Sequence, residues 1–234
     1  MRSRTADIRF FRRARHTLLC GFAMLAVMPA SAQTCANAPV QREATSMQIQ
    51  DFVRAKNKRV LSFVGYSGAG YEDPAAMRAA AEHVLSQHDP TRTLVNIGGT
   101  AVGIGAVYEL AKRRGFATMG IVSTLARDSG DALSPCVDWV FFVRDDRWGG
   151  LLPGSTQLAP TSEAIVANSA ELIAIGGGEI ARDELRGARR AGKLLSYFPT
   201  DMNHRIAIDK AAAKGQSAPT DFRSAVDADF ARKP

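Results

Sequence analysis

Residues that hold metals are scarce in this sequence: three cysteines and four histidines in 234 residues. The histidines, His16, His83, His88 and His204, are scattered, and neither a CxxC nor an HExxH spacing occurs. That excludes a recognisable zinc site, and no cofactor is implied. There is no internal repeat and no low-complexity block, which excludes solenoids and fibrous folds. The longest purely targeting-like apolar run, Thr17–Met28, falls short of the roughly 20 residues that span a bilayer. A strong basic surface is also missing. The formal charge is +7, but residues 1–32 hold six arginines against Asp7, a net of +5. The remaining 24 basic and 22 acidic residues leave only +2, so no nucleic-acid partner is expected.

Residues 1–32 have the three parts of a secretory signal: an arginine-rich start, the apolar run, and Ala30-Ser31-Ala32 ahead of Gln33. The expectation is cleavage after Ala32, export to the periplasm, and no stable membrane anchor afterwards. Arg12-Arg13 raises the twin-arginine route beside the general one, although Ala14-Arg15-His16 lack the apolar positions of that signal. Cys20 lies inside the apolar run, so lipid attachment there is not expected. Export leaves Cys35 and Cys136, and both a disulfide and two free thiols stand as readings.

What is abundant is an alternation of apolar runs, glycine clusters and helical spacing. Residues 33–58 read as a polar arm followed by a short helix over 46–56. Strands are expected at Val60–Gly65, Thr93–Ile97, Phe116–Ser123, Trp139–Arg144, Leu172–Ile175 and Lys193–Phe198. Helices are expected from about Pro74 to Gln87, up to about Arg114, over about Thr161–Ser169 and opening at GGGEIARDE. Pro74 suits a first turn, where the missing N–H costs nothing. The strands are continuous apolar runs, which fits burial on both faces. The fold class that follows is α/β, a doubly wound, mostly parallel, Rossmann-like sheet forming one domain over 59–200. Residues 201–234 read as a helical, charged tail.

Three strand ends are rich in glycine: Gly65/Gly68/Gly70, Gly98/Gly99/Gly103/Gly105 and Gly176/Gly177/Gly178. Glycine lets backbone approach a ligand closely. The helix that follows offers unpaired N–H groups and a positive dipole end to phosphate. Ser67 and Thr100 add hydroxyls, and Glu179 stands at the mouth. The first turn, GYSGAG, does not meet GxGxxG, and Asn96 stands where a dehydrogenase places a ribose-binding acid. A nicotinamide oxidoreductase is therefore not indicated.

The stretch LVNIGGTAVGIGAVYELAKRRGFATMGIVS resembles the second strand, glycine loop, helix and third strand of the Lonely Guy family and its wider Rossmann-like superfamily. AELIAIGGGEIARDEL resembles that family's later strand and its PGGxGTxxE motif. The resemblance runs from about Arg59 to Pro199. It implies a nucleotide-like, phosphorylated small-molecule ligand and a homodimer paired through helices. Carried onto this chain, Gly177 and Gly178 take the two glycines and Glu184 the glutamate, while Gly176 replaces the proline and Ile180-Ala181 the Gly-Thr pair. The positions of the family's catalytic arginine motif fall on Thr161 and Ser162.

Three functions stay open at this stage: a nucleotide hydrolase, a binding domain, and a structural or partner-binding domain that keeps the fold without the site. Glu184 could stabilise the charge that builds on ribose as an N-glycosidic bond breaks, making the protein a nucleotide hydrolase. Without the arginine, half of that machinery is missing, which favours a binding domain. The loop 145–160 carries Trp148 among glycines and reads either as a lid that stacks on a base or as a surface loop. Arg182 is the basic residue near enough in sequence to the third cluster to reach a phosphate.

Overall fold

The computed structural model describes Cys35 and residues 38–230; the expected signal segment lies outside them. Strands β1 (Val40–Glu43), β2 (Arg59–Gly65), β3 (Thr93–Asn96), β4 (Ala117–Ser123), β5 (Trp139–Val143), β6 (Glu171–Ile175) and β7 (Leu194–Phe198) form one sheet in the order β1-β5-β4-β3-β2-β6-β7. Every pairing is parallel. Helices α1 (Ser46–Ala55), α2 (Pro74–Leu85), α3 (Ala106–Arg113), α4 (Thr124–Asp128), α5 (Pro160–Asn168), α6 (Glu179–Arg190), α7 (His204–Ala213) and α8 (Asp227–Phe230) complete the described chain. This is a Rossmann-like α/β architecture. Among the described residues, no helix is long and apolar enough to cross a membrane.

Local chemistry places several of these elements. Thr45 and Gln48 cap α1 reciprocally, each side chain taking the other residue's backbone N–H. Asp73 accepts from the amides of Ala75 and Ala76 at 3.0 and 2.9 Å, and Pro74 occupies the first turn of α2. The alternation along β2 then divides the core. Leu61 and Phe63 join Met77, Val84 and Leu110 on one side. Val60 and Val64 join Ile49, Ile165 and Leu185 on the other. Both faces are covered, as the unbroken apolar runs require.

Two departures from the sequence pattern are informative. The polar arm holds a strand, β1, with all four side chains exposed. No apolar alternation announces it, because it is an edge strand held by backbone pairing to β5, from Val40 opposite Trp139 to Glu43 opposite Phe142. Asn96 is core rather than site: its amide nitrogen donates to Ser62 Oγ at 3.0 Å and its oxygen accepts from the Ile121 N–H. Ser62 Oγ lies 2.6 Å from Ser169 Oγ, completing a buried polar network. Of the two cysteine readings, the structure has the disulfide, Cys35–Cys136, which closes a span of 101 residues and ties the arm to the segment before β5.

Candidate functional site

Chain order along the sheet reverses between β2 and β6. From β2 the chain steps through β3, β4 and β5 to one side, then returns with β6 and β7 on the other. A crevice beyond the carboxyl ends of the two strands flanking such a reversal is where ligands sit in open α/β sheets. The three glycine turns follow β3, β2 and β6, which are consecutive neighbours. The predicted residues of all three are thus brought to the same stretch of the sheet edge.

The turns are built around tyrosines. Tyr71 Oη accepts from the Tyr66 N–H at 3.1 Å and donates to the Ile175 carbonyl at 2.8 Å, bridging the ends of β2 and β6. A Cβ added at Gly65 would lie 2.1 Å from that hydroxyl and 2.7 Å from the Ile175 carbonyl oxygen. Gly65 is therefore glycine to seat Tyr71. Burial pushes the Tyr71 phenol up, so it stays a donor at any ordinary pH. Ser67 and Gly68 remain exposed, with Lys210 Nζ donating to the Gly68 carbonyl at 2.9 Å.

In the second turn, Tyr108 Oη accepts from the Gly99 N–H at 3.1 Å and donates toward the Met119 carbonyl at 2.7 Å. Thr100 Oγ1 turns inward on its own loop and accepts from the Val102 N–H at 3.2 Å. Gly103 packs on the first turn: a Cβ there would stand 2.2 Å from the Tyr66 carbonyl oxygen. The Ile104 N–H donates to that same oxygen at 2.7 Å. Gly98 is half-buried and has no heavy atom within 4 Å of the place a Cβ would take.

The third turn opens α6. Gly176 donates to the Phe198 carbonyl at 2.9 Å. Gly177 has φ 124°, a conformation that side chains rarely adopt. Gly178 is the N-cap of α6 and caps nothing with a side chain. The Gly177 N–H donates to the Tyr66 hydroxyl, while those of Gly178, Glu179, Ile180 and Ala181 have no hydrogen-bond partner among the described residues. Unpaired amides at a helix start carry the positive end of its dipole. Glu179 is solvent-exposed, 3.8 Å from Arg182, and Arg182 also holds Asp183 at 3.2 Å.

Glu184 sits deeper, on the face of α6 turned to α5. Ser162 Oγ donates to Glu184 Oε1 at 2.7 Å and accepts from the Gly150 N–H at 2.8 Å. Ser162, the second of the two residues at the arginine-motif positions, is thus the partner of the carboxyl group. Burial, opposed by the Ser162 hydrogen bond and reinforced by the neighbouring Asp183, pushes Glu184 up to about 7. Thr161 is buried beside it; its N–H donates to Asp145 Oδ2 at 3.0 Å, and its hydroxyl has no partner among the described residues. The loop from Asp145 to Ala159 lies along α5 and α6. A Cβ at Gly149 would be 2.5 Å from Ser162 Oγ, and one at Gly187 2.6 Å from Leu158. This loop covers Glu184, while Trp148 on it stays 49% exposed.

Sequence reasoning missed the tyrosines and the chain beyond α7. The four tyrosines of the chain are Tyr66, Tyr71, Tyr108 and Tyr197. Two bracket the first glycine turn as YSGAGY, a signal that was available. Ser224 and Ala225 contact the third turn from some 47 residues away, and no local pattern marks that. A cleft of about 480 Å³ opens elsewhere, between β1, β5, α1 and α5, lined by Glu43, Thr45, Gln48, Arg144, Pro160 and Glu163. None of the predicted site residues lines it.

The fold and these turns define a Rossmann-like α/β protein with a glycine-lined switch point. No protein-family model matches the chain, and no curated protein matches it. Among solved structures, it is similar to the structural-genomics protein TM1055 at 20% identity and TM-score 0.42, over 58% of this chain and 72% of that one. It is also similar to the Moco carrier protein from Chlamydomonas reinhardtii at 17% identity and TM-score 0.43, over 68% of this chain and 85% of that one.

Proposed function

We propose that the domain binds a phosphorylated, nucleotide-like small molecule in the crevice between β2 and β6, in the manner of the Lonely Guy superfamily, and does not turn it over. The run of unpartnered amides from Gly178 to Ala181 at the switch point carries this reading. Against turnover stands the pairing of Glu184 with Ser162, where the family's enzymes have an arginine motif. Calorimetry with AMP and ADP-ribose on residues 33–234 tests it. Saturable binding is the expected result, and no heat from either ligand would sink the reading.

One observation favours the hydrolase alternative. A carboxyl group pushed up to about 7 holds a proton near neutrality and could deliver it to a departing base. Base release from AMP, followed by chromatography with Glu184→Ala as control, decides between the two. We further propose export with cleavage after Ala32. A disulfide fits an oxidising compartment; the mature N-terminus, Gln33, is read by intact mass of the periplasmic fraction. The homodimer belongs to the same proposal and is checked by light scattering.

A further inference from the structure

Beyond α7 and an exposed segment, residues 214–221, the chain returns to the third glycine turn. Ser224 Oγ and the Ala225 N–H both donate to the Gly177 carbonyl, each at 3.0 Å. Ser224 Oγ also accepts from the Val226 N–H at 3.1 Å, and Val226 is fully buried. Further along, Tyr197 donates to Asp227, Arg186 pairs with Asp229 at 2.7 Å, and the Arg189 guanidinium lies 3.8 Å from the centre of the Phe230 ring. At the near end, Phe222 stacks on His204 with ring centres 4.1 Å apart, and its carbonyl accepts from the Met202 N–H.

A trans peptide is planar, so its C=O and the next N–H point in opposite directions. Two donors fixed on the Gly177 carbonyl therefore set the direction of the Gly178 N–H, away from residues 224–225. Gly176 and Gly177, with φ of 55° and 124°, have no side chain to restrain that peptide. We propose that residues 222–230 form a strap that positions the Gly177–Gly178 peptide for anion binding, with Ser224 and the Ala225 amide as its contact. This rests on reading the crevice as the ligand site. Strap docking and ligand binding then favour each other, and the coupling is reciprocal.

The experiment compares the mature protein with Ser224→Ala, which loses one donor to the turn. A second variant, Asp229→Ala, loosens the strap away from the turn and leaves Val226 in place. Thermal melts confirm that each is folded. AMP affinity by calorimetry should fall roughly 5- to 20-fold in both variants. In the unaltered protein, AMP should slow amide exchange at Ala225 and protease cleavage within residues 214–221. AMP binding of equal strength in all three, with Ala225 exchange unchanged, overturns the strap and leaves the site reading intact. Tighter binding in the variants makes the segment a blocker and also overturns the proposal. No binding to any of the three overturns both readings together.

Discussion

The Tyr71 hydroxyl donates to the Ile175 carbonyl across the point where the strand order reverses. One phenol thereby replaces the backbone pairing that β2 and β6 give up as they diverge, and Gly65 is bare so that it fits. Tyr71→Phe would leave the Tyr66 N–H and the Ile175 carbonyl buried without that partner. A loss of about 1–3 kcal/mol is expected, read from urea denaturation midpoints at constant slope.

Gly103→Ala should be worse. The new methyl would meet the backbone oxygen of Tyr66, which no rotamer change can move. Separation of the first two turns, or failure to fold, is the expected outcome, with a loss of about 3 kcal/mol or more. Gly98→Ala, which meets no atom within 4 Å but has a φ of 31°, should cost only about 1 kcal/mol. Equal melting temperatures for the two variants would refute the assignment of Gly103 as a packing glycine.

Glu184 makes stability depend on pH in a definite direction. Its carboxyl group holds a proton more tightly folded than unfolded, so its contribution is fully present below about 4.5 and is lost as pH rises through about 7. The loss is of order 3 kcal/mol at most. Melting temperature should fall between pH 5 and pH 8, and Glu184→Gln should flatten that slope. Ser162→Ala should steepen it, since the Ser162 hydroxyl favours the charged carboxylate.

Reduction of the Cys35–Cys136 disulfide should cost about 4 kcal/mol, because the bond closes a long loop of the unfolded chain. Cys35→Ser alone should match the reduced protein in a thermal melt. A variant as stable as the oxidised form would show that the arm is held by β1 pairing instead.

Trp148 offers a reporter for the loop over Glu184. At 49% exposure it should be quenched freely by iodide, and AMP should shield it if the loop closes on a base. Trp148→Phe should shift the melting point by little, as surface changes do. Unchanged quenching at saturating AMP would make the loop a cover for Glu184 and nothing more.

The places where sequence and structure agree share one physical cause. Strands such as VLSFVG and ELIAI announce themselves because burial on both faces demands unbroken apolar runs. Edge strand VQRE carries no such demand, and only its pairing to residues about a hundred positions away makes it a strand. Glycines were legible as turns, but not why each is glycine. Gly65 yields to Tyr71 and Gly103 to the Tyr66 backbone, whereas Gly177–Gly178 lead into the amides left open at the start of α6.

Sequence alone therefore determined the α/β class, the order of the six strands from β2 to β7, and the glycine-rich strand ends, since local periodicity and turn chemistry encode these. Tertiary structure decided which turns neighbour the switch point and that Ser162, within the expected arginine motif, holds Glu184. It also decided that the chain beyond α7 returns to Gly177. Each of these is a contact between distant segments, and such contacts are set by how the packed faces fit together rather than by any window of residues.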